Sequence, residues 1–368
     1  MPYAHITGWG MAVPEQVMTN DDIAKVVDTN DAWIRERTGI RERRVAKEGD
    51  FPSTLAVEAS LKALKIANVR PTDIDLIICS TSTPEYIFPA TACLIQDQIG
   101  ATKAGAFDLL AACSGFIYAL NMGAQAIRSG SIKTALIIGS ETLSRFVNWK
   151  DRNTCILFGD GAGAFVLQAS ERPGGVLSAV MHSDGSGGDL LTLQGGGSHY
   201  PATEATVHEG KHYIQMDGKE VFRFATRVMA SATQEAVDAA GLTVEQLTWI
   251  VPHQANIRII EAAARGLKLP MDKFVVNLDR YGNTSTASIP IAMVEAIEKG
   301  RIKSGDKLVM VGFGAGLTWG ALAAEWTGPL PSKGSPVRPE QYRLLGRFRS
   351  FVRRALRFIE GLLYRREL

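Results

Sequence analysis

Three separated segments of the chain carry side chains whose types suit nucleophilic catalysis. Cys113 lies in the stretch DLLAACSGFIYAL, which predicts a helix beginning near the cysteine. Unpaired N–H groups and the positive dipole at a helix N-terminus favour the thiolate, the nucleophilic form of cysteine. The segments VPHQAN and RYGNTS add the imidazole of His253 and the carboxamide of Asn283, common companions of a nucleophilic cysteine. Taken singly, Cys113 could be a small core residue, His253 structural and Asn283 a helix cap.

The composition is that of an ordinary globular protein, with 368 residues, 46% hydrophobic and 21% charged. The cysteines at positions 79, 93, 113 and 155 show neither metal-ligand spacing nor a paired framework, which predicts a reduced, cytoplasmic setting. The N-terminus lacks the pattern of a secretory signal, and no run of 18 apolar residues occurs. We therefore predict no metal site and no bound cofactor.

A weak internal repeat organises the chain. Residues 63–80 match 236–253 at an offset of 173, and residues 129–133 match 299–303 at an offset of 170. At the second offset Cys113 coincides with Asn283, so each residue would open the central helix of its own half. Alternating strands and helices in each half predict an α/β fold in which mixed sheets are covered by helices. The two central helices would pack together and point their N-termini at one site.

Two glycine-rich stretches close the halves, at 158–164 and 312–318. Neither carries the Gly-Lys-Ser/Thr of a phosphate loop. We interpret the first as a tight turn or strand bend, where backbones approach closely. The second could in addition aim a backbone N–H at the carbonyl oxygen of a substrate.

With these motifs in this order, the chain resembles β-ketoacyl-acyl carrier protein synthase III, a condensing enzyme of the thiolase superfamily that begins type II fatty acid synthesis. The resemblance covers residues 1 to about 328. It rests on DLLAACSGF, VPHQANIRII, YGNTSTASIP and GFGAGLTWGA, supported by DTNDAWIRERTGIRERR and CILFGDGAGA. It implies a thiolase-like fold of two duplicated halves, 1–172 and 173–328, layered αβαβα.

The resemblance also implies the chemistry. Cys113 would take an acyl group from acyl-CoA, and His253 and Asn283 would stabilise the enolate formed when malonyl-acyl carrier protein loses carbon dioxide. The backbone N–H groups of Cys113 and Gly314 would form the oxyanion hole, and Phe313 would help to expel the carboxylate. A related enzyme of secondary metabolite or long-chain lipid synthesis is the alternative, and a non-catalytic thiolase-fold protein is the contrasting class. A glutamate base, as in hydroxymethylglutaryl-CoA synthases, is disfavoured because the residues flanking Cys113 include no Glu or His.

The resemblance further implies three binding surfaces. The predicted coenzyme A site consists of Thr29, Trp33, Arg37, Thr38 and Arg152, with Trp33 and Arg152 stacking on the adenine. The predicted carrier-protein surface consists of Arg223, Gln254, Ala255, Asn256, Ile257, Arg258 and Arg265, and Gly266 replaces a second basic residue that the family often has. The predicted acyl tunnel consists of Phe88, Leu143, Leu157 and Phe158, where Phe88 belongs to a loop (84–90) that reaches across a homodimer.

The C-terminal segment departs from the family. Residues 329–368 hold ten basic and three acidic residues, whereas the rest of the chain holds 30 basic and 35 acidic residues. A proline-rich linker (329–340) leads into a segment (341–368) whose apolar residues recur at helical spacing among arginines, although Gly346 and Gly361 would each weaken a helix by roughly 1 kcal/mol. This basic amphipathic helix could lie on an anionic membrane, dock on an acidic partner or on the chain's own acidic body, or have no separate role.

Overall fold

The computed structural model describes residues 1–331 and 335–364, with side chains described as far as residue 360. In these ranges the strands are β1 (Tyr3–Ala12), β2 (Val17–Thr19), β3 (Glu42–Arg44), β4 (Leu76–Ser80), β5 (Gly105–Leu109), β6 (Thr134–Thr142), β7 (Asp160–Ser170), β8 (Gly175–Ser183), β9 (Leu191–Thr192), β10 (Gln215–Met216), β11 (Trp249–Pro252), β12 (Lys307–Gly314) and β13 (Thr318–Glu325). The helices are α1 (Asn20–Ala24), α2 (Asp31–Thr38), α3 (Pro52–Ala67), α4 (Thr91–Ile99), α5 (Gly115–Arg128), α6 (Arg152–Cys155), α7 (Glu204–His208), α8 (Gly218–Ala239), α9 (Ile257–Leu267), α10 (Leu278–Tyr281), α11 (Ser288–Glu298) and α12 (Pro339–Tyr364).

Two mixed sheets with matching strand order form the frame. The first has the order β1-β7-β6-β4-β5 and the second has β8-β13-β12-β11. In the first sheet β6, β4 and β5 are parallel, and β7 runs antiparallel to both β6 and β1. In the second sheet β11 and β12 are parallel, and β13 runs antiparallel to both β12 and β8. Strand β6 is buried at every position, as expected for a strand covered by helices on both faces.

Helices separate and cover the sheets. Helices α5 and α11 pack between the two sheets in one apolar core. Helices α3 and α4 cover the outer face of the first sheet, and α8 and α9 cover that of the second. Nearly every residue of α11 is buried, which explains why its sequence, SIPIAMVEAIE, lacks a polar face. The predicted αβαβα layering is confirmed.

The structure corrects one equivalence in the internal repeat. Strand β4 corresponds to β11 at the predicted offset of 173, and at this offset the 3₁₀ turn Ala112–Ser114 corresponds to Ser285–Ala287. Both turns begin with a residue of positive φ, 46° at Ala112 and 49° at Ser285. Cys113 is therefore the counterpart of Thr286, and the predicted match with Asn283 is wrong. The offset falls to 170 only beyond the central helices, because α5 has 14 residues and α11 has 11.

The C-terminal segment contains the predicted helix. Helix α12 begins at Pro339, inside the predicted linker, because proline is well tolerated in the first turn of a helix. Residues 332–334 of the predicted linker and 365–368 of the predicted helix lie outside the described residues. Among the described helices, none has the length and apolar character needed to cross a membrane.

Candidate active site

Cys113 lies in the short 3₁₀ turn that leads directly into α5. Its side chain is 7% exposed. Burial raises the pKa of the Cys113 thiol to about 12, and a hydrogen bond with the Ser285 side chain opposes this only in part. Desolvation therefore opposes the thiolate that the helix N-terminus favours and shifts the balance towards the neutral thiol.

The backbone of Gly314, at the end of β12, lies against the cysteine turn. A Cβ atom on Gly314 would lie 2.6 Å from the backbone nitrogen of Cys113, so no residue larger than glycine fits there. The Ser114 hydroxyl oxygen lies 2.8 Å from the backbone oxygen of Ala111 and 2.9 Å from Thr318 Oγ1, either of which can accept its proton. These contacts hold the β12–β13 hairpin against the turn and place the two predicted oxyanion-hole residues side by side.

His253 follows β11 and is almost fully buried, with 1% of its surface exposed. Its Nδ1 lies 2.7 Å from the hydroxyl oxygen of Ser288, the first residue of α11. The ring meets that of Phe313 edge to face, with centroids 5.4 Å apart. Burial lowers the pKa of His253 to about 3, so the imidazole is neutral. Sequence reasoning missed Ser288, whose only signal was a hydroxyl at the start of an apolar helix.

Asn283 is held by hydrogen bonds on both sides of its backbone. Its backbone N–H donates to Leu157 at 2.8 Å, and its backbone oxygen accepts from Gly159 at 3.0 Å. The side-chain oxygen of Asn283 accepts from the backbone N–H of Ser285 at 2.8 Å. Because the carboxamide oxygen is occupied within the chain, the NH₂ group is the part of Asn283 that can serve a substrate.

The fold thus gathers the three predicted segments. The 3₁₀ turn after Asn283 packs against the turn that carries Cys113, and Ser285 and Cys113 line one cavity. His253 joins this group through Ser288 on one side, and through Phe313 and the neighbouring Gly314 on the other. An imidazole, a carboxamide and a thiol in this arrangement can stabilise a developing oxyanion beside a covalent acyl group.

The cavity at Cys113 has a volume of about 800 Å³. Its walls include the predicted tunnel residues Leu143 and Phe158, together with other apolar side chains such as Leu191 and Ile214. Another part of the wall comes from residues 188–200, in the long connection between β8 and α8. The sequence did not predict this contribution, because the stretch consists largely of glycine and polar residues. Leu157, predicted for this tunnel, instead lines a second cavity.

The second cavity, of about 930 Å³, brings together three residues of the predicted coenzyme A site: Trp33, Arg37 and Thr38. The guanidinium carbons of Arg37 and Arg152 lie 4.4 and 4.9 Å from the centroid of the Trp33 ring. Arg152 also donates to the backbone oxygen of Asp28, next to Thr29, at 3.2 Å. An aromatic ring with two guanidinium groups close to it can bind a flat heterocycle with attached phosphates once one of these groups gives up its place on the ring.

The predicted carrier-protein residues differ in exposure. Arg223 on α8 and Arg258 and Arg265 on α9 are exposed, whereas Ala255, Asn256 and Ile257 are half-buried. Gln254 is buried, and its side-chain nitrogen donates to the backbone oxygens of Pro252 and Val275 at 2.7 and 3.0 Å. This corrects the prediction for Gln254, because its side chain holds the turn after β11 and is inaccessible to a partner.

Glu141, at the end of β6, is a buried carboxyl group that sequence reasoning missed. Burial raises its pKa to about 7, although hydrogen bonds from the Thr83 side chain and the Ser82 backbone favour the carboxylate. Thr83 Oγ1 donates to it at 2.6 Å and the Ser82 N–H at 3.1 Å. Both carboxyl oxygens of Glu141 therefore bind the segment that contains Ser82 and Thr83, and this segment leads into the loop that carries Phe88. The Ser285 side chain, which hydrogen-bonds Cys113, also bonds to Glu141, so this carboxyl group is connected to the nucleophile as well as to that segment.

The neutral state of His253 predicts how decarboxylation depends on pH. Ordinary histidine protonates near pH 6.5, but burial moves this transition of the folded site to about pH 3. We expect the rate of malonyl decarboxylation to show no acid limb between about pH 8 and pH 5. Folding stability should fall as the pH is lowered from about 6.5 towards 3, because in this range only the unfolded chain binds a proton at His253. A pH–rate profile with an inflection near 6.5 would contradict this expectation.

Comparison with known proteins yields consistent matches. The family described as 3-oxoacyl-[acyl-carrier-protein] synthase III matches residues 107–185, and its C-terminal part matches residues 237–326. β-Ketoacyl-[acyl-carrier-protein] synthase III of Roseiflexus sp. is 52% identical over 88% of this chain and 99% of that protein. The protein of the same name from Symbiobacterium thermophilum is 54% identical over 87% and 97%. The solved 3-oxoacyl-[acyl-carrier-protein] synthase III of Aquifex aeolicus is 46% identical, with a TM-score of 0.82 over 88% of this chain and 100% of that one.

Proposed function

Because the chain belongs to the 3-oxoacyl-[acyl-carrier-protein] synthase III family, we propose that it condenses an acyl-CoA primer with malonyl-acyl carrier protein. The product is 3-oxoacyl-acyl carrier protein, and the reaction initiates type II fatty acid synthesis. The observation that carries this proposal is the position of Cys113, on the wall of a largely apolar cavity and against the turn that follows Asn283. The duplicated halves, 1–172 and 173–328, then each supply part of one site.

In the first half-reaction, the sulfur of Cys113 attacks the thioester carbonyl of acyl-CoA. The bond between the carbonyl carbon and the coenzyme A sulfur breaks, and coenzyme A leaves as a thiol that carries the proton lost by Cys113. The raised pKa of Cys113 supports this order, because the proton moves only when the leaving sulfur can take it. The backbone N–H groups of Cys113 and Gly314 would stabilise the tetrahedral oxyanion.

In the second half-reaction, malonyl-acyl carrier protein loses carbon dioxide to give an enolate. Ser288 can donate its hydroxyl proton to Nδ1 of His253, which leaves the Nε2–H free to donate to the enolate oxygen. The Asn283 NH₂ group is the second donor. The enolate carbon attacks the acyl thioester, the Cys113 sulfur leaves as a thiolate, and a proton from solvent restores the thiol. Phe313 contacts the imidazole of His253 edge to face. Its apolar ring would disfavour the charged malonyl carboxylate and so promote the loss of this group as carbon dioxide.

Separate surfaces would bind the two carriers. The adenine of coenzyme A would insert between Trp33 and Arg152, whose side chains are now in contact at 4.9 Å and would have to separate to admit it. The acidic carrier protein would dock on Arg223, Arg258 and Arg265, which are exposed on α8 and α9. No bound cofactor is required by this chemistry. The four cysteines are free, which supports a reduced, cytoplasmic setting.

We further propose a homodimer. Strand β5 is at the end of the five-stranded sheet, and a second copy could pair with its open edge. The neighbouring surface is unusually apolar, because Ile87, Phe88 and Leu110 are 78%, 84% and 77% exposed in a single chain. Phe88 does not line the cavity of its own chain, which supports its predicted insertion into the tunnel of the partner.

Reconstitution tests the proposed function. The purified chain is incubated with malonyl-acyl carrier protein and, in separate reactions, with acetyl-, butyryl- or decanoyl-CoA. We expect mass spectrometry to detect 3-oxoacyl-acyl carrier protein with at least one of the short primers. Reaction only with the long primer would contradict the priming role and favour a long-chain condensing enzyme.

Trp33→Ala is the companion variant for the acyl-CoA site. Loss of the stacking ring should raise the KM for acyl-CoA about 10-fold and leave the KM for malonyl-acyl carrier protein unchanged. Trp249→Ala serves as a matched control, because Trp249 contacts Asp306 and Arg301 and is outside the two large cavities described above. Equal effects of the two substitutions would argue against adenine binding at Trp33.

A further inference from the structure

Helix α12 packs on the body of the protein through its polar face. It contacts α4 and α3, and its Gly346 approaches the C-terminal end of α4 so closely that a Cβ would lie 3.0 Å from Gly100 Cα. The Ser350 hydroxyl donates to the Asp97 carboxylate, and Arg354 lies 3.8 Å from the same carboxylate. Gly346, which weakens an isolated helix, is therefore the residue that permits this close packing.

The opposite face of α12 is apolar and faces solvent. At 100° per residue, the contact residues Tyr342, Gly346 and Ser350 lie on one side of the helix, and the large apolar residues are centred on the other. The exposed apolar side chains are Leu344 (67%), Leu345 (66%), Phe348 (68%), Phe351 (70%), Val352 (37%), Leu356 (53%), Phe358 (69%) and Ile359 (51%). A surface helix normally turns this face inward, so α12 has the reverse orientation.

Arginines border the apolar face. The helix carries Arg343, Arg347, Arg349, Arg353, Arg354 and Arg357, and between residues 339 and 360 its acidic residues are Glu340 and Glu360. On the helical projection Arg347 and Arg349 fall on opposite sides of the apolar face, between it and the contact residues. Their guanidinium groups are thus at the level where the headgroups of a bilayer would be if the apolar face were inserted.

We propose that α12 binds the surface of an anionic lipid bilayer, with its apolar face inserted and the protein body held above it. A second copy of α12 is the other candidate to cover the apolar face. Pairing two such helices through their apolar faces would bring two sets of arginines together, so the charge of the helix favours the bilayer. Anionic headgroups complement these arginines instead. The segment lies beyond the match to the family, which ends at residue 326, and the Roseiflexus relative is covered to 99% by 325 aligned residues. The proposal does not depend on the reaction that the body catalyses.

Vesicle co-sedimentation of the full-length chain tests the proposal. The vesicles contain either phosphatidylcholine alone or about equal amounts of phosphatidylcholine and phosphatidylglycerol. We expect the wild type to pellet with the anionic vesicles, to pellet much less with the neutral ones, and to be released by high salt. The pair Phe348→Asp and Phe351→Asp should lower binding at least 10-fold, and Arg347→Gln with Arg349→Gln should lower it for anionic vesicles.

The matched control is Val26→Asp with Val207→Asp, which places the same charges on side chains that are 58% and 62% exposed outside α12. This control should bind vesicles as the wild type does. Equal binding by wild type and the Phe348/Phe351 variant, or no binding by wild type, overturns the proposal. Light scattering without vesicles provides a second check. If the Phe348/Phe351 variant had a lower oligomeric mass than the wild type, the apolar face of α12 would bind a second copy of the chain, and the proposal would be overturned.

Discussion

Replacing Cys113 by alanine is expected to abolish covalent labelling of the protein by radioactive acetyl-CoA and to lower condensation by ~10³-fold or more. Alanine removes the atom that bonds to the acyl carbon and leaves the surrounding backbone unchanged. Cys113→Ser should also lose most of the labelling, because a buried hydroxyl is a weaker nucleophile than a thiol. The measurement is protein-bound radioactivity after denaturation, combined with the initial rate of 3-oxoacyl-acyl carrier protein formation.

Two other cysteines provide controls for this experiment. Cys93 is exposed on α4, and Cys155 is buried in α6 and does not line the cavity at Cys113. Cys93→Ala and Cys155→Ala should both retain labelling. Labelling that persists in Cys113→Ala, or disappears in Cys93→Ala, would assign the acyl group to a residue other than Cys113.

The second large effect concerns the two proposed enolate donors, Asn283 and His253. Asn283→Asp keeps an oxygen that accepts the Ser285 N–H, but it replaces the NH₂ donor with an acceptor that carries negative charge. His253→Ala removes the imidazole donor. Each change should slow decarboxylation of malonyl-acyl carrier protein by ~10²–10³-fold. The double variant should lose less than the product of the two factors, because both groups act on one oxygen.

Decarboxylation is measured as carbon dioxide release in the absence of an acyl primer, which separates it from acylation of Cys113. His182→Ala is the matched histidine control, because His182 lies on β8 and pairs with Glu235 at 2.8 Å. Asn283→Asp and His253→Ala should still accept label from acetyl-CoA on Cys113. Loss of labelling together with decarboxylation would indicate a collapsed site and would contradict separate roles for these groups.

The chemistry-bearing residues of this chain could be identified from the sequence because each lies in a short local pattern. A cysteine at the start of an apolar helix, a histidine after a buried strand and an asparagine after glycine remain recognisable whatever surrounds them. The repeat likewise revealed two matching halves, since helix and strand periodicities depend on neighbouring residues. The basic amphipathic character of the C-terminal helix was equally local.

Only the tertiary structure decided how these parts affect one another. Burial depends on packing between residues distant in sequence, so the helix N-terminus suggested a thiolate at Cys113 whereas burial in the folded site favours the thiol. The same reason applies to Gln254, which looked like a docking residue and is enclosed by backbone, and to Ser288, whose importance arises from its contact with His253. For α12 the sequence determined which face is apolar, but the direction of that face followed from the fit of Gly346 against Gly100. A side chain's type is local information, whereas its solvation and its partners are properties of the whole fold.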